Sequence, residues 1–278
     1  MIFYHTAMNK KQTRQITGHY CRELNKQIRK VVAGFDEEAI HQLRVTYKKL
    51  RAFLRMLTIN DTAEKQFSIP KKLKRVYRSA GIIRDLQLQK QRVLEAAGRL
   101  KYKPQAYLRF LQAEVEQLKQ AFEESYDLKP VDDCKKKKAA VVPEKFTDLK
   151  FILYVQQKWN AIQTITAEPY PGDREIHAIR KHLKDLFYNV KLFETVPEKT
   201  ISVRVWKGKD TSFFYRLLEE MGHFQDLCNA VVLLDNYPGS NRQTREREQL
   251  VLLRNKWMKE KRNLKKSLLK KLLTACPS

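Results

Sequence analysis

The chain has 278 residues and sets 56 Lys and Arg against 31 Asp and Glu, a formal charge of +25. Such an excess points to an anionic partner (nucleic acid, another polyanion or a membrane surface), although a basic surface with no specific ligand gives the same count. Cys21, Cys134, Cys228 and Cys276 are scattered, with no C-x-x-C pair and no histidine cluster beside them, and indicate neither a zinc site nor a disulfide framework. No apolar run reaches membrane-spanning length and no leader with a cleavage site is seen, so a reducing, cytoplasmic setting is expected.

The spacing predicts a first helix from about Asn9 to Val32, with Ile16, Tyr20, Leu24, Ile28 and Val31 inward. Gly34 and Phe35 break it. Asp36 caps a second helix, whose Glu37 and Glu38 suit the positive end of the helix dipole and which ends near Asn60 and Asp61. That helix carries two stripes. Ile40, Leu43, Tyr47, Leu50, Leu54 and Leu57 form an apolar seam. His41, Arg44, Lys48, Arg51 and Arg55 follow one residue later, about 100° round the helix, so a ridge of cations runs beside the seam instead of scattering outward.

Pro70 starts a third helix, which opens with Lys71, Lys72, Lys74, Arg75 and Arg78 and continues through Gly81 to Leu86. Glycine inside a helix costs about 1 kcal/mol relative to alanine. Gly81 therefore marks the approach of another backbone, room for a ligand, or a simply tolerated residue. Pro104 starts a fourth helix through Tyr107, Leu111, Leu118 and Phe122. Periodicity lapses over 127–146, where Pro130, Pro143 and the run Lys135 to Lys138 read as a solvated basic linker. It separates residues 9–126 from 147–273 within a single domain spanning 1–278.

The fifth helix is expected to turn Leu149, Ile152, Val155, Trp159 and Ile162 inward. After Pro169, Pro171 and Gly172, Asp173 caps a sixth helix that repeats the second. Its seam of Ile176, Ile179, Leu183, Leu186, Val190 and Phe193 lies 136 residues on, Ile176 answering Ile40. Its cations are His177, Arg180, Lys184 and Lys191, with Phe187 in the place of Arg51. Ile201 to Trp206 alternates apolar and polar, as a short extended connection would. Asp210 caps a seventh helix through Leu217, Met221, Phe224, Leu227 and Val231, in which Gly222 to Leu227 matches Gly81 to Leu86 at an offset of 141. A basic last helix, about 242–273, puts Leu250, Leu253, Trp257 and Leu264 on one side. Its Arg254, Lys261 and Lys265 either line a binding region or stay solvated. Eight helices in two groups of four, made by internal duplication, are expected.

His41-x-x-Arg44-Val45 leading to Lys48-Lys49-Leu50-Arg51, then Arg84-Asp85-Leu86, resembles the first half of a CHAD domain, the conserved histidine α-helical domain. His177-x-x-Arg180-Lys181-x-Leu183-Lys184, with Tyr188 and Leu192-Phe193-Glu194 after it, resembles the second half. Met221-Gly222 and Asp226 are similar to that half's downstream glycine and aspartate. The resemblance spans about Gln12 to Leu273. It implies an all-α fold of two four-helix bundle halves related by pseudo-twofold symmetry around a basic channel. It also implies that the channel binds inorganic polyphosphate, with attachment to polyphosphate granules as the role.

On that reading the binding residues are His41, Arg44, Lys48, Lys49, Arg51, Arg55, Lys71, Lys74, Arg75 and Arg78 in the first half. His177, Arg180, Lys181, Lys184, Lys191 and Arg216 serve in the second. Asp185 and Phe187 stand where the family commonly has arginine or lysine, so the first half is expected to carry more of the binding. Arginine offers a planar fork and lysine a mobile point charge, a mixture suited to a ligand without fixed register. His41 and His177 either touch ligand or satisfy groups at a helix start, and near pH 6.5 either would gain charge. Asp85 and Asp226 are read as orienting cations or capping helices in preference to binding metal. Tyr47, Tyr77 and Tyr188 can donate to phosphate, with core packing favoured for Tyr47.

No catalytic residue, metal or cofactor is expected. Cleavage of polyphosphate or triphosphate usually needs carboxylate-held metal ions, and the chain has no E-x-E-x-K pattern, Walker loop or His-Asp dipeptide. Nucleic-acid binding is the alternative, but the aromatic residues sit mostly at core spacing and do not interleave with exposed cations.

Overall fold

A reciprocal cap begins the first helix: the Asn9 side chain accepts from the Gln12 amide, and the Gln12 side chain accepts from the Asn9 amide. The computed structural model describes residues 6–59, 69–98, 103–125, 145–194, 205–206, 209–241 and 245–275. Among them run eight α-helices. These are α1 Lys10–Gly34, α2 Glu37–Leu57, α3 Lys71–Ala97, α4 Gln105–Ser125, α5 Asp148–Thr166, α6 Asp173–Glu194, α7 Thr211–Asp235 and α8 Arg245–Ala275. A 3₁₀ turn, Pro238–Asn241, precedes α8. The chain is all-α apart from two two-residue strands, β1 Met8–Asn9 and β2 Lys145–Phe146, which pair antiparallel. No helix among the described residues is long and apolar enough to cross a membrane.

Several predicted signals act as expected. Asp36 accepts from the Ala39 amide, and Asp210 from the Phe213 amide. Two differ, at Asp173 and in α5. The break after α1 falls at Gly34 and Phe35 as expected, with Phe35 left-handed (φ 50°). A side chain takes that unfavourable region because its ring is buried edge-on against Phe122 at 5.5 Å. Asp173 is the first residue of α6 and not its cap, and its carboxylate is taken by Lys261 at 2.8 Å and Lys265 at 3.1 Å. In α5 the inner face begins with Phe151 and Tyr154, while Leu149 is 64 % exposed. The two large rings set the phase: Phe151 packs edge-on against Phe193, and Tyr154 bonds to Asn189.

The expected linker 127–146 falls outside the described residues except for Lys145 and Phe146. These two are strand and not solvated coil, with Phe146 buried opposite Met8. Helix α2 ends at Leu57 with Thr58 as its C-cap, ahead of the expected Asn60 and Asp61, and the extended reading of residues 201–204 lies outside the described residues. Trp206 is fully buried, stacked at 4.3 Å on Phe214.

One apolar core runs through all eight helices. Helices consecutive in the chain pack side by side: α1 on α2, α2 on α3, α3 on α4, then α5 on α6, α6 on α7 and α7 on α8. The two series meet where α2 packs on α5 and α6, and where α3 touches α7. Buried polar groups tie this seam. Asn189 donates to the Ala52 carbonyl at 3.0 Å and to the Tyr154 hydroxyl at 2.8 Å. Gln89 donates to Tyr107 and to the Ala230 carbonyl. Glu246 of α8 accepts from the Ala106 and Tyr107 amides, satisfying donors that the start of α4 would leave open.

Asn189→Leu keeps the volume but removes the donor to a buried hydroxyl and a buried carbonyl. The expected cost is about 1–3 kcal/mol in urea unfolding. A loss below about 0.5 kcal/mol would show that the bond does not hold the seam.

Candidate functional site

The cationic ridge of α2 faces that of α6. Arg44, Lys48 and Arg51 are one helical turn apart on α2, and Arg180 and Lys184 are one turn apart on α6; all five are half-buried. Lys48 sits at the focus. Burial first, and then the positive charges of Arg44, Arg180, Lys184 and Arg51, push its ammonium down to about 7. Lys184 is lowered in the same way, by burial and then Arg180, with exposed Lys49 adding to the effect and Glu219 opposing it. Among the described residues, none of these five cations forms an ion pair. The Nε donors of Arg51 and Arg180 are buried without a hydrogen-bond partner.

Neighbouring groups place these heads. Tyr47 and Tyr77 stack at 4.0 Å, and the guanidinium of Arg44 lies 5.1 Å from the Tyr77 ring centre. Arg51 lies 5.9 Å from Tyr47 and 6.0 Å from Tyr77. A Cβ on Gly81 would fall inside the Arg44 guanidinium, and one on Gly222 would come within 3.2 Å of Arg180 Nη2. Each glycine thus makes room for the arginine of an H-x-x-R motif, and no foreign backbone approaches it. On α3, Lys74, Arg78, Gly81 and Asp85 follow one another at helical spacing, so that row leads into the cluster. Asp85 is raised above the ordinary carboxylate range by burial and by Asp226 across the α3–α7 contact, against the pull of Arg44 and Lys48.

The arrangement presents buried, unneutralised cationic donors to one region, which suits a multivalent anion. Residues 15–235 match the profile of the CHAD domain. The chain belongs to the CHAD family. The crystal structure of the CHAD domain from the plant Ricinus communis has a TM-score of 0.70 to it at 16 % identity, covering 95 % of this chain and 91 % of that one, a likeness of fold. No curated protein matches the chain.

In this CHAD protein the predicted residues divide. Arg44, Lys48, Lys49, Arg51, Arg180 and Lys184 come together. Lys71, Arg75 and Arg78 are exposed on the first turns of α3 with half-buried Lys74 among them, and Arg78 lies near enough to act on the Tyr47 phenol. Lys181 is exposed beside His177. Arg55 is drawn away: it and Lys158 pair with buried Asp185 at 3.0 and 2.8 Å. Lys191 pairs with Glu194 at 3.4 Å, and Arg216 donates to Ser212 at the exposed start of α7. Arg254 pairs with Asp235, and Lys261 and Lys265 pair with Asp173.

Both motif histidines are held below the ordinary histidine value, first by burial. Arg84, Lys48 and Arg44 add to this at His41, and Lys181, Arg180 and Lys48 at His177, which also bonds to Gln225. They therefore gain charge only on the acid side of the ordinary histidine value. Lys158 was missed because its role appears only once α5 lies against Asp185. The Tyr47–Tyr77 stack was missed for the same reason, since spacing within single helices gives Tyr47 as core and Tyr77 as a phosphate donor but does not bring the two rings together.

Gly81→Ala separates fold from site. Its added methyl meets only the mobile end of Arg44, and alanine gains up to about 1 kcal/mol of helix propensity. Thermal stability is expected to hold or rise while pyrophosphate affinity falls. A lower melting temperature with unchanged affinity would contradict this account of the glycine.

Proposed function

We propose that this CHAD protein binds inorganic polyphosphate without cleaving it. The ligand lies in a basic channel between the α1–α4 half and the α5–α8 half, which are related by a pseudo-twofold axis. One observation carries the reading: Lys48 is surrounded by Arg44, Arg51, Arg180 and Lys184, with no ion pair to neutralise any of them among the described residues. A protein that gathers like charges in a partly buried place pays for it in stability unless a ligand supplies the counter-charge. Polyphosphate carries negative charge on every unit and has no base to recognise. Its regular spacing of oxygens suits arginine forks interleaved with lysine point charges.

The paired devices support the symmetry. Arg44 over Gly81 and Arg180 over Gly222 place equivalent heads on equivalent helices. The halves are unequal, with four inner cations from α2 against two from α6. Phe187 is buried where α2 has Arg51, and Asp185 is spent on Arg55 and Lys158. The inner set is Arg44, Lys48, Lys49, Arg51, Arg180 and Lys184. Lys71, Lys74, Arg75, Arg78 and Lys181 extend it along the ligand. A protein of this kind would associate with polyphosphate granules. Nucleic acid fits the inner cluster less well, because Tyr47 is 3 % exposed and its stack with Tyr77 is flanked by Arg44 and Arg51, leaving no face there for a base.

Charge reversal at Arg44 and Arg51 together is expected to abolish binding of labelled long-chain polyphosphate and to leave helicity unchanged. In the wild type the log–log salt slope should be about −0.7 per phosphate contacted, by analogy with single-stranded nucleic acid. Unchanged affinity in the double variant contradicts the site. RNA that competes equally reduces the cluster to a general polyanion surface, and phosphate release with magnesium or manganese contradicts binding without cleavage.

A further inference from the structure

Beside the cation cluster, a groove of about 680 Å³ opens between α1, α2 and α6. This is the size of a small-molecule site, and its walls are mainly apolar with a few cations. Tyr20 comes from α1, and Phe187 and Tyr188 from α6, while Lys49 supplies charge and Lys191 adds a cation already paired with Glu194. The wall from α6 is ordered. Lys184, Phe187, Tyr188 and Lys191 fall at successive turns of one face, with the Lys184 ammonium 5.4 Å from the Tyr188 ring and 5.8 Å from the Phe187 ring. Lys191 lies 5.8 Å from Phe187.

The groove and the cluster share residues. Tyr188 lines the groove, yet its phenol also feels Arg180 and Tyr77, and Lys49 lines the groove while acting on Lys184. The groove and the inner cations therefore adjoin through Lys49 and Tyr188. Polyphosphate alone has no use for the apolar part, since phosphate gains nothing from tyrosine and phenylalanine faces. A planar base does: stacking on aromatic rings needs no sequence readout, because every base presents a π-face.

We propose that the groove holds the base and sugar of a nucleoside polyphosphate, whose phosphate tail runs past Lys49 into the Lys184 and Arg51 end of the cluster. The assignment rests on the reading of that cluster as a phosphate site. It adds a second class of ligand, one that would compete with the end of a polyphosphate chain.

The test compares ATP, tripolyphosphate and AMP by calorimetry on the full chain in magnesium-free buffer, with long-chain polyphosphate as a control. ATP and tripolyphosphate share the tail and differ in the base. ATP is expected to bind about tenfold more tightly, the gain of one stacked base, and AMP far more weakly than either. Ile16→Trp fills the groove from α1, outside the cation cluster, and should bring ATP down to the tripolyphosphate level while leaving tripolyphosphate unchanged. Equal binding of ATP and tripolyphosphate by the wild type, with polyphosphate still bound, overturns the groove and spares the cluster. Failure of all three phosphate chains to bind overturns the cluster itself. An oligoadenylate with a 5′-hydroxyl that displaces ATP at matched phosphate concentration assigns the groove to RNA and overturns the nucleotide proposal.

Discussion

Helices α2 and α6 pack against one another through apolar seams and face one another with like charges beside those seams. Packing draws the interface together and electrostatics pushes it apart, so the position of every inner cation depends on how the apolar side is held. Leu43, Leu50, Ile179, Leu183 and Leu186 are fully buried there. At the far end of α2 the repulsion is relieved, because Asp185 stands between Arg55 and Lys158 and acts as an internal counter-ion. Asn189, one turn on, fastens the same end to the Ala52 carbonyl. The acids at the starts of the two helices, Glu37 and Asp173, are taken by Arg84 and by Lys261 and Lys265, so among the described residues none pairs with the inner cations and the charge accumulates around Lys48.

The guanidinium groups there rest on the Tyr47–Tyr77 stack and over helical glycines, so their forks are placed before any ligand arrives. Preorganised donors lose less entropy on binding than free surface side chains do. Asp185 and Phe187 stand where the repeated helix α2 carries Lys49 and Arg51, and both have a structural explanation in these terms. One residue stabilises the seam, and the other builds an aromatic cluster with Trp206 and Tyr215, in exchange for two cations on that side.

Much of this was legible in the sequence because helical periodicity survives translation into burial. Ile40 to Leu57 and Ile176 to Phe193 are buried as their spacing requires. The duplicated Gly81 and Gly222 segments marked the right places, although only the structure shows that arginines occupy the space they leave. What sequence spacing could not supply was pairing between distant helices. Arg55 and Lys48 look alike on α2, yet one has a carboxylate from α6 and the other has four cations. Nothing in the spacing of Lys261 and Lys265 shows that both pair with Asp173 at the start of α6. The phase of α5 differs only over its first turns, where the partners of Phe151 and Tyr154 turn those rings inward and Leu149 outward, while Trp159 and Ile162 are buried as their spacing requires.

If the ligand supplies the missing counter-charge, it must restore the proton that Lys48 gives up in the free protein. With a free value of about 7, Lys48 is mostly neutral at pH 8, and a bound phosphate chain raises it toward the ordinary lysine range. The most direct measurement is calorimetry of polyphosphate binding at pH 8 in buffers of different ionisation enthalpy, on the wild type and on Lys48→Met. The account predicts uptake of up to about one proton per chain, lost in the variant, with affinity falling as pH rises above 7. Binding that takes up no proton, or uptake that survives in Lys48→Met, would contradict it.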